Sequence, residues 1–329
     1  MSPAIIQSKE IISPIARELD VVEEELGRRF VSPISLISAI GDHLMSMKGK
    51  RIRPALVLLS AKLGDPDIAA AVKAGVAVEI VHTATLLHDD SIDRSYLRRG
   101  APTVNRIWND QVSVIMGDYL FCKAFRLLHD GGLFEVASIL SSGSDSMTYG
   151  EMVQMDLRGR YDIPEDAYLG MIRHKTASLF VSACEAGAVV GGLAEDERSR
   201  LRAYGEHIGI AFQIVDDVLD YVGDVDLMGK PVGNDLRDGR ITLPLIAALR
   251  NAGKDGRDRI NGIIGDGDLG DTRWAEVVDF VESNAGIEYS RDVARDFAGK
   301  AAADIAGLGA CPAKRSLILL ADHVFARQK

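Results

Sequence analysis

Residues 68–93 read IAAAVKAGVAVEIVHTATLLHDDSID, a long apolar run that ends on three aspartates, Asp89, Asp90 and Asp93. No strand-like alternation with period two runs through it, and its length and Ala, Val and Leu content favour a helix. Apolar residues fall on more than one face of that helix. Such a helix belongs at the centre of a bundle with others around it. Residues 170–195 have the same character.

Working outward, helical periodicity runs nearly end to end. It predicts helices over 15–28 and 32–47, a third beginning near Pro54, and more over 105–130, 133–158, 165–190 and 196–222. Shorter helices fill 241–328, with a Gly- and Asp-rich break at 262–271. Aromatic residues make up only 6% of a chain that is 47% hydrophobic, a balance that suits packed helices better than a β-sandwich. No linker rich in Pro, Ser or charge divides the sequence. The expectation is an all-α, single-domain bundle of long antiparallel helices spanning 1–329 around a central apolar cavity.

The formal net charge of −10 argues against a nucleic-acid partner, which demands a basic face. Cys122, Cys184 and Cys311 are far apart without CxxC spacing and read as reduced, mostly packed thiols of a cytoplasmic protein. Residues 1–30 lack the apolar run of a signal peptide, and no transmembrane segment of ~18 residues is expected.

A second aspartate cluster, Asp216, Asp217 and Asp220, closes the apolar stretch FQIVDDVLD. In a helix, positions i and i+4 share a face, so Asp89 and Asp93 project together, as do Asp216 and Asp220. Like charges so placed repel, and carboxylates in apolar surroundings are costly without cations to meet. Mg²⁺, which takes a few carboxylates plus substrate phosphates, resolves both difficulties. A solvated acidic face is the plainer reading of one such cluster, but two identical DDxxD clusters opposed across a bundle would cage a metal–diphosphate complex.

A diphosphate also needs fixed cations. Lys50, Arg51 and Arg53 lie in GKRIRP, Arg98 and Arg99 in YLRRG, Lys175 in RHKTASLF and Lys230 in GKPVGND. Each alone reads as a surface charge; their pairing with both acid clusters is the signal. His82, two turns before Asp89, and Gln213, three residues before Asp216, lie near the acidic faces. Core hydrogen bonding would explain His82 equally well and is the simpler reading of Gln213.

These pieces, together with GDYLF, GEMVQ, GIAFQIVDDVLDY and GKPVGNDLRDGRITLP in that order, resemble the polyprenyl synthetase family, and most closely its long-chain members. The resemblance is dense over residues 45–245. It implies an isoprenoid synthase fold and a prenyltransferase that joins isopentenyl diphosphate to an allylic diphosphate. By the same resemblance, the six aspartates would hold three Mg²⁺ ions on the allylic diphosphate. Arg98, Lys175 and Lys230 would contact that diphosphate, while Lys50, Arg53, His82 and Arg99 would bind isopentenyl diphosphate. Thr176 and Gln213 would set dipoles near the allylic cation. The departed diphosphate would accept the proton, so no side-chain base is named. A homodimer is implied as well. Arg240 stands where the family usually has Lys, and Arg327 and Lys329 are weaker candidates for the homoallylic diphosphate.

Product length should be set on the helix leading to Asp89. Ala84 and Thr85 lie ~6–8 Å along it from the aspartates, with Val81 and Val78 one turn deeper. These small residues leave room for a long chain, around eight isoprene units, where short-chain members carry bulky aromatics. A floor contributed by a neighbouring helix is the alternative. A terpene cyclase would lack the second DDxxD and the Lys50, Arg53 and His82 set. A regulatory subunit would typically have lost an aspartate cluster.

Overall fold

In the computed structural model, the described residues are 9–47, 49–223, 233–266 and 270–325. The apolar run that ends on the first aspartates is one helix, Ile68–Ile92, started by Asp67, whose Oδ1 accepts from the backbone N–H groups of Ala69 and Ala70 at 2.9 and 3.2 Å. Its middle is sealed on every side, with Ala74, Val76, Ala77, Val78, Ile80 and Val81 all buried. The helices Asp110–Asp130, Ile52–Ala61, Ala16–Phe30 and Ser178–Val190 pack around it. By length and composition it could cross a bilayer, contrary to the expectation that no stretch would, but its packing is that of a core helix.

The second central helix is Glu195–Val222. Its first turn carries Glu195, Asp196 and Glu197, which suit the positive end of the helix dipole, and Glu197 accepts from the Ala194 N–H at 3.1 Å. Leu201, Tyr204, Ile208 and Ala211 on this helix join a large core around the Ile68–Ile92 helix. Ile210, Ile214, Val218 and Tyr221 join a second core with the helices Leu243–Asn251, Asp271–Ser283 and Gly286–Asp304. One helix therefore joins both apolar clusters, and its aspartates fall in the half that packs in the second.

Three local features depart from the sequence reading. The helix expected over 105–130 breaks: a single turn, Val104–Ile107, is followed by a new start at Asn109, whose Oδ1 caps Val112 N–H at 2.8 Å. Leu97–Arg98 and Ala101–Pro102 pair as a small antiparallel hairpin. Its two central residues, Arg99 and Gly100, both have positive φ, 53° and 76°, as tight hairpin turns with matching twist require. Strands of two residues are too short to show alternation. Finally, the helix expected over 165–190 widens into a π-turn at Arg173–Ala177, between Glu165–Ile172 and Ser178–Val190.

Candidate active site

The π-turn holds Lys175 and Thr176, and such turns recur at functional sites. It is wedged between two glycines. A Cβ on Gly150 of the Phe134–Leu157 helix would stand 2.3 Å from the Lys175 nitrogen, and one on Gly209 would stand 2.6 Å from the Ala177 Cα. The close approach points Lys175 towards the end of the Ile68–Ile92 helix. There its ammonium pairs with Glu151 and lowers the Asp89 pKa, while Glu151 and Asp93 raise it. Burial outweighs Lys175, and the Asp89 carboxyl is pushed up to about 6.

The other aspartates are engaged differently. Asp90 is buried, and Arg98 grips it through Nε at 3.0 and 3.1 Å and Nη2 at 2.8 Å. Burial still holds its carboxyl above the usual range. Asp93, closing the helix, receives Arg240 Nη2 at 2.7 Å and Arg158 Nη2 at 3.3 Å. In the second cluster, Asp217 accepts from Tyr168 Oη at 2.6 Å and from Gln213 Nε2 at 2.7 Å. Burial, and then the nearby Asp235 charge, raise its pKa well above the carboxylate norm. Thr176 Oγ1 donates to Gln213 Oε1 at 2.6 Å, so both ends of that amide are occupied. Asp220 accepts from the backbone N–H groups of Asn234 and Asp235 at 3.3 and 3.0 Å. Arg240 also pairs with Asp235 at 3.3 Å. A chain of contacts thus runs from Asp93 through Arg240 and Asp235 to Asp220, linking the two clusters.

A cleft opens on one flank of the Ile68–Ile92 helix, lined by Arg51, Glu79, His82, Asp90, Arg98 and Arg99 with Leu44, Leu86 and Val104 among its apolar neighbours. Arg53 stands beside it, its guanidinium 4.7 Å above the Phe180 ring and its Nη1 3.1 Å from His82 Nε2. An arginine can only donate, so His82 Nε2 accepts and its proton sits on Nδ1. Burial, followed by the charges of Arg53, Arg99, Arg98 and Arg51, pushes His82 well below the usual imidazole range. Burial also lowers Arg53 to about 10. The Nε atoms of Arg53 and Arg240 are buried without a hydrogen-bond partner, donors that an anion could satisfy.

Around helix Ile68–Ile92, steps of 100° per residue set the cleft residues His82, Leu86, Glu79 and Asp90 roughly 20–100° from Asp89. Thr85, Val81 and Ala84 fall on the opposite flank, roughly 40–140° the other way. Asp89 lies between the two flanks. Val81 and Ala84 are fully buried and Thr85 partly exposed. Lys50 is half-buried in the turn leading to Arg53. Lys230, Arg327 and Lys329 lie outside the described residues. Glu79, Glu151, Arg158 and Tyr168, all absent from the sequence-level candidates, contact the predicted residues directly.

The chain matches the polyprenyl synthetase family over residues 34–281. The chain belongs to that family. It is 38% identical over 287 residues, 87% of each chain, to an all-trans-nonaprenyl-diphosphate synthase (geranyl-diphosphate specific) of Rhodobacter capsulatus. It is also 35% identical to a short chain isoprenyl diphosphate synthase of Methanothermobacter thermautotrophicus, over 97% of this chain and 99% of the relative. In three dimensions it superposes on a polyprenyl synthase of Caulobacter crescentus, crystallised with calcium and isoprenyl diphosphate. That match has a TM-score of 0.94 at 34% identity and covers 98% of both chains. As a polyprenyl synthetase, the chain is a prenyltransferase with the isoprenoid synthase fold.

The polyprenyl synthetase's aspartates fit a hard divalent cation by donor chemistry, and burial holds the Asp89 carboxyl above its usual range. Among the described residues, no three His, Cys, Asp or Glu side chains converge closely enough to hold an ion alone. The set therefore fits a hard divalent cation bound by one or two carboxylates at a time, with phosphate oxygens and water completing the shell.

Proposed function

We propose that this polyprenyl synthetase is a Mg²⁺-dependent enzyme that elongates an allylic diphosphate, farnesyl diphosphate by preference, with isopentenyl diphosphate to about eight isoprene units. The observation that carries the reading is the separation of two cation groups about Asp89. Lys175, paired with Glu151, acts on Asp89 by its charge, while Arg99 lines the cleft on one flank with Arg53 beside it, next to the neutral His82. Two diphosphates need two such groups, and a cyclase handling one would not.

Bound Mg²⁺ would supply charge that stabilises the departing diphosphate, three ions being the number the two clusters would share. Lys175, Arg98 and Lys230 would hold the same diphosphate. Lys50, Arg53, Arg99 and the Nδ1–H of His82 would hold isopentenyl diphosphate with its alkene towards the allylic carbon. Leu44, Leu86 and Val104, which line the cleft, would help keep water from an allylic cation. The Thr176 and Gln213 oxygens would face it, and the departed diphosphate would take the proton. A cytoplasmic homodimer of single-domain chains completes the reading. Val114, Ile115 and Phe134 are exposed apolar residues along the segment 110–134, suited to cover by a second copy.

The long product rests on Ala84, Thr85 and Val81 leaving room beyond Asp89. The burial of Ala84 and Val81 favours a second reading, in which protein already fills that flank and products stop at three or four units. Purified protein incubated with labelled isopentenyl diphosphate, farnesyl diphosphate and Mg²⁺, with products resolved by length, separates them. A main product near eight units upholds the long-chain reading, and one of three or four overturns it. No incorporation with any primer would favour a regulatory subunit.

A further inference from the structure

Glu79 lies one turn before His82 on the Ile68–Ile92 helix, its side chain 5% exposed. Its Oε1 accepts from Arg51 Nη1 at 2.7 Å. A Cβ built on Gly49 would stand 2.9 Å from Arg51 Nη1, 3.1 Å from Arg99 Nη1 and 3.5 Å from Glu79 Oε1. Two guanidinium groups and one carboxylate thus crowd about a single glycine, and a side chain there would displace them.

The backbone is strained at the same place. Arg51 and Arg99 have φ of 49° and 53°, two of the four non-glycine residues with positive φ among the described residues. Such conformations persist where surroundings over-determine them, and they gather at binding sites. Arg51 is held by Glu23 through Nε and Nη2 at 2.6 and 2.9 Å and by Glu79 from the inside. Arg99 donates to the Met47 carbonyl at 3.1 Å.

A buried carboxylate under an anion site repels the anion, so its presence there calls for a contribution that offsets the repulsion. We propose that Glu79 is a positioning residue for the homoallylic diphosphate, holding Arg51 and the 49–53 turn so that the cations of the cleft are assembled before substrate arrives. This rests on the reading that the cleft takes isopentenyl diphosphate. Preorganised cations lose little freedom on binding, whereas released arginines would be ordered only at the expense of affinity.

Repulsion and positioning predict effects of opposite sign. Isopentenyl diphosphate affinity by calorimetry, and KM for each substrate, would be measured in wild type, Glu79→Gln, Glu79→Asp and Glu23→Gln. The Gln variant should weaken isopentenyl diphosphate binding and raise its KM about tenfold, with the primer KM within about twofold. Glu79→Asp should show the same selective loss at about threefold, and Glu23→Gln, on the exposed side of Arg51, a smaller one. Tighter or unchanged binding would overturn the proposal, as would equal losses for both substrates. If Glu79→Gln does not fold, the Asp variant distinguishes the same outcomes. Wild type that binds isopentenyl diphosphate without turnover defeats the functional reading and leaves this comparison intact; wild type that does not bind it overturns both.

Discussion

Neighbouring aspartates in one DDxxD cluster have different surroundings. Asp90 is clamped by Arg98 on both oxygens, whereas Asp89 is buried and feels the charges of Lys175 and Arg98 against those of Glu151 and Asp93. Asp89→Asn should therefore lower kcat by about a hundredfold or more, as loss of a charge-stabilising group does. Asp90→Asn should act mainly on the fold. Breaking a buried pair costs roughly 3 kcal/mol, visible as a Tm several degrees lower. Kinetics and thermal melting on the two variants check the contrast. Among the cysteines, Cys122 is exposed, while burial pushes the Cys184 thiol from 9.0 up to about 12. Iodoacetamide at pH 8 should label Cys122 in the native protein and spare Cys184, as peptide mapping would report. The unfolded chain releases the Cys184 proton first, so this residue's contribution to stability falls as pH rises from about 9 to about 12. At this scale the aspartates, His82 and the basic segments were legible because family motifs carry them. Glu79 and Tyr168 were not. Each sits singly in ordinary helical sequence, and its partner lies 28 or 49 residues away.

At the scale of elements, the long helices were readable from periodicity alone, since an apolar run of that length has no other stable form. The departures are local and have local causes. The π-turn at Arg173–Ala177 adds no signal to an apolar pattern, and only its glycine neighbours Gly150 and Gly209 show why the widened turn fits. Behind it, Tyr168 packs fully buried with its hydroxyl on Asp217. Tyr168→Phe should leave a buried acceptor short of a donor, at about 1–3 kcal/mol in chemical denaturation. The opposite flank of the Ile68–Ile92 helix bears on product length. Thr85 is partly exposed while Ala84 and Val81 are sealed, so the open side of that flank is at Thr85. Thr85→Phe should shorten the product by several isoprene units, read by chromatography of the dephosphorylated alcohols, without the overpacking cost of about 1–3 kcal/mol that a Phe at Ala84 would bring.

The whole molecule depends on two central helices that each end in aspartates. Residues 68–81 and 201–221 are buried through most of their length, which fixes where the two acidic ends can point. Arg240 and Asp235 then span the gap from Asp93 to Asp220. That bridge could not be read from sequence, because it depends on a loop folding back on both clusters. Action of the paired clusters on diphosphate through a divalent cation is the central claim. The direct measurement is incorporation of labelled isopentenyl diphosphate into acid-labile allylic product, with Mg²⁺ present and again with the metal removed by EDTA. Incorporation that vanishes with EDTA, returns on adding Mg²⁺, and falls about a hundredfold or more in both Asp89→Asn and Asp216→Asn is the predicted result. Incorporation that continues without the metal, or stays near the wild-type rate in either variant, would contradict it.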